Sequence, residues 1–147
     1  TPLTQGRFTG VATPKPQVTG HNEGMTTTLT STTYEDFTEQ DGLVFVLFWS
    51  TSCGPCLRFR RIYKAVDRQF PDIPFGEAEV EIQFRLVKEL DISTIPVLLV
   101  FRDGELIYRD PTPRPENATF STVDGAPRFL EFMYSEEKFT AFVESLR

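Results

Sequence analysis

The run Leu43-Val44-Phe45-Val46-Leu47-Phe48-Trp49 is apolar at every position. A strand with one face in water would alternate, so this segment predicts a central strand covered on both faces. Beyond it, Phe59, Ile62, Tyr63, Val66 and Phe70 recur at helical spacing. They predict an amphipathic helix to about Phe70, stopped by Pro71-Asp72-Ile73-Pro74. Arg58, Arg60, Arg61, Lys64 and Arg68 fall mostly off its apolar stripe. Phe75 to Glu81 alternates and predicts a second strand, and helical spacing returns at Ile82, Leu86, Val87 and Leu90. Val97 to Phe101 predicts a third buried strand, with Asp103-Gly104 as a hairpin turn into Glu105 to Arg109.

The flanks are less regular. Thr26 to Leu29 predicts a short edge strand. Thr32 and Glu35 have capping-box spacing for a short helix to about Gln40, closed by Asp41-Gly42. At the other end Ser135 is placed to cap a last helix. Glu136 and Glu137 suit its first turn, and Phe139, Phe142, Val143 and Leu146 face inward. Strands alternating with helices place the chain in the α/β class.

Composition adds boundaries. A length of 147 residues suits one domain. Residues 1–24 are rich in Thr, Pro, Gly and Gln and predict a flexible tail or the remnant of a leader, so the domain is expected over 25–147. A net charge of −6 argues against nucleic-acid binding. No apolar stretch is long enough to predict a membrane span. With two cysteines and no apolar signal core, a cytoplasmic setting is expected.

Both cysteines lie in Cys53-Gly54-Pro55-Cys56, between the apolar strand and the helix. Two thiols at this spacing can close or reopen a disulfide. The helix start directs unpaired N–H groups and partial positive charge at Cys53, which favours its thiolate. Gly54 is read as allowing a tight turn, and Pro55 as the first helical residue, where its missing N–H is not needed. Cys56, further in, is expected to be the more buried thiol. Cys53 is then the nucleophile and Cys56 the resolving thiol of an exchange reaction. Half of a zinc site is the competing reading, but such a site needs four ligands and only His21, in the tail, is at hand. No metal and no cofactor beyond the cysteine pair are expected. An inert structural disulfide is the other alternative. Trp49 is expected to flank the site, with Glu81 as the partner of its indole N–H.

Phe48-Trp49, Cys53-Gly54-Pro55-Cys56, Phe59, Ile95-Pro96 and Phe101-Arg102-Asp103-Gly104 together resemble the thioredoxin family. The resemblance covers about Met25 to Arg109 and the last helix. It implies a thioredoxin-like fold, a central mixed sheet with helices on both faces. It also implies a cis Pro96 beside the dithiol, with Ile95, Pro96 and Trp49 bordering the client. The implied function is a monomeric reductase of disulfide-containing proteins, in cell redox homeostasis and electron transport, with thioredoxin reductase as donor. A dedicated reductase with few clients, or a binding module with weak turnover, are the alternatives.

The chain departs from the family pattern. Leu47 stands where the family often has a buried Asp, and Glu77 where that Asp has a Lys partner, so a buried acid–base pair is expected to be missing. Ser52 replaces a Trp before the first cysteine, and Arg61 replaces a helix-kinking Pro. An insertion is expected at about 110–135. The family's substrate-facing Val-Gly-Ala loop corresponds either to Val123 with Gly125-Ala126 or to Pro111-Thr112-Pro113. Asn117-Ala118-Thr119 is a formal glycosylation sequon.

Overall fold

The computed structural model describes residues 25–113 and 119–147; the tail with His21, Pro115, and the first two residues of the sequon lie outside them. Among the described residues, six strands form one sheet in the order β1-β3-β2-β4-β5-β6. They are β1 (Thr27–Thr28), β2 (Leu43–Trp49), β3 (Phe75–Glu79), β4 (Val97–Arg102), β5 (Glu105–Asp110) and β6 (Phe120–Ser121). Five helices accompany them: α1 (Tyr34–Thr38), α2 (Gly54–Asp67), α3 (Phe84–Glu89), α4 (Phe129–Phe132) and α5 (Glu136–Leu146). β2 lies parallel to β3 and antiparallel to β4, so the sheet is mixed.

The unbroken apolar run of β2 is explained by two cores. Leu43, Phe45, Leu47 and Trp49 pack with α2, α4 and α5 residues such as Phe59, Phe132 and Phe139. Val44, Val46 and Phe48 point the other way, to Phe37 on α1 and Leu86 on α3. Helices therefore cover both faces, and every residue of β2 is buried. The Asp103-Gly104 turn has positive φ at both residues (53° and 84°), which matches the right-handed twist of the strands it joins. Ser135 caps α5, its Oγ accepting the Lys138 N–H at 3.2 Å.

Several expectations are corrected. α1 starts later than the Thr32 capping box requires. Thr33 is its N-cap and makes no side-chain cap bond, because its hydroxyl already accepts the Thr30 N–H at 2.9 Å. α2 ends at Asp67, so Phe70 packs into the core from beyond the helix. β3 ends at Glu79, leaving Glu81 in the following turn. Ile82, expected on a buried stripe, is exposed, whereas Leu86 is buried. The 110–135 segment holds β6 and α4, which the sequence did not predict.

Candidate active site

The site grows from the end of β2. Ser50, almost wholly buried, organises the turn. Its hydroxyl accepts the Ser52 N–H at 3.2 Å and lies 3.0 Å from the Ser52 hydroxyl, while its carbonyl accepts the Cys53 N–H at 3.2 Å. Glu81 braces the outside of the same turn, accepting from the hydroxyls of Thr51 (3.3 Å) and Ser52 (3.2 Å). These bonds correct the expectation that Glu81 serves the Trp49 indole.

Cys53 follows as the N-cap of α2, in an extended conformation, with its Sγ accepting the Cys56 N–H at 3.2 Å. Gly54 is thus the first helical residue and Pro55 the second, one place later than expected. The missing Pro55 N–H is still one of the orphan donors of a helix start. Gly54 does not serve a tight turn: its φ lies outside the left-handed region, and an added Cβ would meet only open space. Cys53 and Cys56 are joined in a disulfide, Cα atoms 5.2 Å apart. Cys53 is half-buried and Cys56 is fully buried. Of the two sulfurs only that of Cys53 combines access, a backbone donor and the positive end of a 14-residue helix.

Behind the dithiol lies an ion pair the sequence did not reveal. Glu77 on β3 is buried and pairs in register with Leu47 on β2, so the two side chains share the α2 face. Arg60 forks its carboxylate at 2.7 and 2.9 Å, and Lys64 reaches it at 3.4 Å. The bond to Glu77 is the main cause raising the Arg60 guanidinium above its ordinary pKa. The same guanidinium lies 3.9 Å from the centre of the Trp49 ring, within cation–π range. The acid–base pair expected to be missing at Leu47 and Glu77 is indeed not formed; instead Glu77 on β3 is a buried carboxylate held by part-exposed cations from α2, Arg60 standing one turn beyond Cys56.

Pro96 is buried just before β4, and the Ile95–Pro96 peptide is cis, as is Asp110–Pro111. Ile95 borders both cores, and in one of them it joins Cys53, Val123 and Ala126. Arg109 steadies the segment leading to Pro96. Its guanidinium donates to the carbonyls of Leu90 and Asp91, both at 2.9 Å, at the C-terminus of α3. Burial is the main cause lowering the Arg109 pKa. Tyr108 likewise holds Pro127, donating to its carbonyl at 2.8 Å. The structure thus brings Trp49, Cys53, Gly54, Pro55 and Cys56 together and sets Ile95 in the same core. Sequence reasoning missed Ser50, Arg60 and Arg109. Of these only Arg60 carried a signal, standing one turn after Cys56. Among the described residues no cluster of three or more His, Cys, Asp or Glu could hold a metal ion.

Known proteins resemble this chain in sequence and in fold. A family model described as Thioredoxin matches residues 25–125. The chain is 31% identical over 106 residues to a putative thioredoxin 2 of Streptomyces coelicolor, covering 72% of this chain and 78% of that one. It is 28% identical over 80 residues to thioredoxin-1 of Saccharomyces cerevisiae, covering 54% and 78%. The fold of a mutant thioredoxin from Halobacterium salinarum superposes with a TM-score of 0.60 at 18% identity, covering 85% of this chain and 93% of that one. The family match spans more than half of the chain and includes both cysteines, and the chain therefore belongs to the thioredoxin family of thiol–disulfide oxidoreductases.

Proposed function

We propose that the protein works in the reducing direction on client proteins, with Cys53 as nucleophile and Cys56 as resolving thiol. The observation that carries this is the asymmetry of the pair. The half-buried Cys53 caps α2 and holds the Cys56 N–H at 3.2 Å, while Cys56 is sealed in the core. The Cys53 thiolate attacks one sulfur of a client disulfide. A mixed disulfide forms, the client's S–S bond breaks, and the departing client thiolate takes a proton. Cys56 then loses its proton and attacks the Cys53 sulfur. The second client thiol leaves, and Cys53–Cys56 closes as a disulfide. Two electrons have passed to the client. A reductase of the thioredoxin reductase type is the donor that reopens the pair.

Trp49, Ile95 and Pro96 border the path of the client chain. Gly54 and Pro55 leave the approach to Cys53 open. The cytoplasmic setting expected from the cysteine content would keep the pair in its reduced, working form. Trapping tests the assignment. Cys56→Ser should accumulate a mixed disulfide with insulin as client, and Cys53→Ser should accumulate none. Preferential alkylation of Cys56 over Cys53 in the reduced protein at neutral pH would reverse the roles. A restricted set of clients is the second reading, favoured by the placement of α4 beside α2.

A further inference from the structure

α4 packs against the buried stripe of α2, and the chain just past α4 reaches round to its exposed side. The Phe129 ring meets Phe59 edge-on at 4.8 Å, and Arg58 sits 5.6 Å from the centre of the Tyr134 ring, just past the end of α4. Three large apolar side chains at this junction face water: Leu57 is 38% exposed, Leu130 67% and Tyr134 51%. Leu57 directly follows Cys56 in the first turn of α2, its N–H donating to the Cys53 carbonyl at 3.1 Å as the helix requires. Isolated exposed apolar residues are ordinary, but a group beside a reacting centre is the usual sign of an interaction surface.

The exposed charges along α2 are of one sign, whereas Glu131, Glu136 and Glu137 lie exposed on the α4 side. Arg58, Arg61 and Arg68 are exposed and, at spacings of three and seven residues, follow one line along α2. Arg60 and Lys64 share the single carboxylate of Glu77, while Arg128 pairs with Asp110 and Arg147 with Asp72. Among the described residues no carboxylate pairs with Arg58, Arg61 or Arg68. Guanidiniums in such a row are conspicuous in a chain of net charge −6. They generate a local positive field that favours an acidic partner and speeds its encounter.

We propose that the outer face of α2, with Leu130 and Tyr134 of the α4 region, is a docking surface for protein clients whose disulfide is flanked by an apolar side chain and carboxylates. This rests on Cys53 being the nucleophile. It adds which disulfides that thiolate meets fastest. The apolar group seats the client next to Cys53, and the arginine row orients it along α2.

The test uses the reduced protein and three oxidants. Two are disulfide-cyclised peptides identical except for flanking Asp or Lys residues; the third is the small neutral hydroxyethyl disulfide. Single-turnover oxidation is followed by acid quench and alkylation. The Asp peptide should react faster than the Lys peptide by on the order of tenfold at low ionic strength. That preference should shrink to about twofold or less in roughly 0.5 M salt, where charges are screened within a few ångströms. Arg58→Glu with Arg61→Glu should invert the preference, and the milder Arg58→Gln with Arg61→Gln should abolish it. Leu130→Ser with Tyr134→Ser should slow both peptides alike. None of these variants should alter the rate with hydroxyethyl disulfide. Equal rates for the two peptides, or a preference that survives the arginine replacements, would overturn the proposal. So would dimers that dissociate on Leu130→Ser with Tyr134→Ser, since the surface would then belong to a second copy. Loss of reaction with hydroxyethyl disulfide in the unaltered protein would instead refute the role of Cys53.

Discussion

Replacing Arg60 by Ala should be markedly more damaging than replacing Glu77 by Leu, although both break the same ion pair. Glu77 is 4% exposed in its side chain and cannot follow a lost partner into water, whereas the Arg60 side chain is 30% exposed and can. Stranding one member of a buried pair costs about 3–5 kcal/mol. Lys64 remains 3.4 Å from the carboxylate and offsets part of that. The lost contact with the Trp49 ring adds back about 0.5–1 kcal/mol. Arg60→Ala is therefore expected to cost about 3 kcal/mol. Glu77→Leu leaves two cations near the surface and sets a leucine beside Leu47. Its expected cost is within about 1 kcal/mol. The double variant should fall well short of the sum, with a coupling of about 2 kcal/mol. Urea unfolding followed by emission of Trp49, the only tryptophan, measures all three. With a slope of roughly 1.5 kcal/mol/M, the midpoint of Arg60→Ala should drop by about 2 M. Equal losses for Arg60→Ala and Glu77→Leu, or strict additivity, would refute the claim that the carboxylate is the trapped partner.

Gly76→Ala should destabilise by about 1–3 kcal/mol in the same assay, because its Cβ would lie 2.7 Å from Phe37 Cε2 and 2.8 Å from Leu29 Cδ1. Leu47→Asp, placing a second carboxylate opposite Glu77, should cost about 3–5 kcal/mol at neutral pH. Burial raises such a carboxyl's pKa, so the deficit should shrink as pH falls; wild-type stability at neutral pH would mean Leu47 is not enclosed. Burial raises the pKa values of Tyr34, Tyr63 and Tyr108 above the ordinary 10.0. Above about pH 10 the unfolded chain gives up these protons before the folded one, so stability should be complete below that pH and decline above it. Tyr63→Phe loses the bond to the Gly76 carbonyl, at about 1 kcal/mol, yet should decline less steeply in alkali. A pH profile parallel to wild type above about pH 10 would contradict this.

The parts legible in the sequence are those whose causes are local. β2 announces itself because both its faces are apolar, and α5 because Ser135, its acids and its phenylalanines all lie within one span. The dithiol is legible because strand, motif and helix are contiguous. What escaped depends on distant partners. The start of α4 is held from Asp110, whose Oδ2 accepts the Phe129 N–H at 2.6 Å; its local mark, Glu131 accepting the Arg128 N–H at 2.8 Å, follows an arginine N-cap that capping preferences do not favour. Four helical residues also give no measurable periodicity. The alternation of β3 suggests a wet face at Glu77, but cations arriving from α2 make its burial tolerable. Glu81 could not be assigned to Thr51 and Ser52 until the end of β3 was known. Arg109 caps a helix that precedes it by two elements, a relation the sheet order alone creates.

β6 also changes what the sheet presents to other molecules. Without it, β5 would be a bare margin of six residues whose peptide groups could hydrogen-bond to any extended chain. Ser121 and Phe120 pair with Tyr108 and Arg109, and the Thr122 N–H reaches the Ile107 carbonyl at 2.9 Å. The segment after β5 thus acts as a hem, closing half of a strand on which a second sheet could otherwise start to grow. Trimming it to shorten the chain would expose that margin and favour sheet-to-sheet aggregation during concentrated refolding.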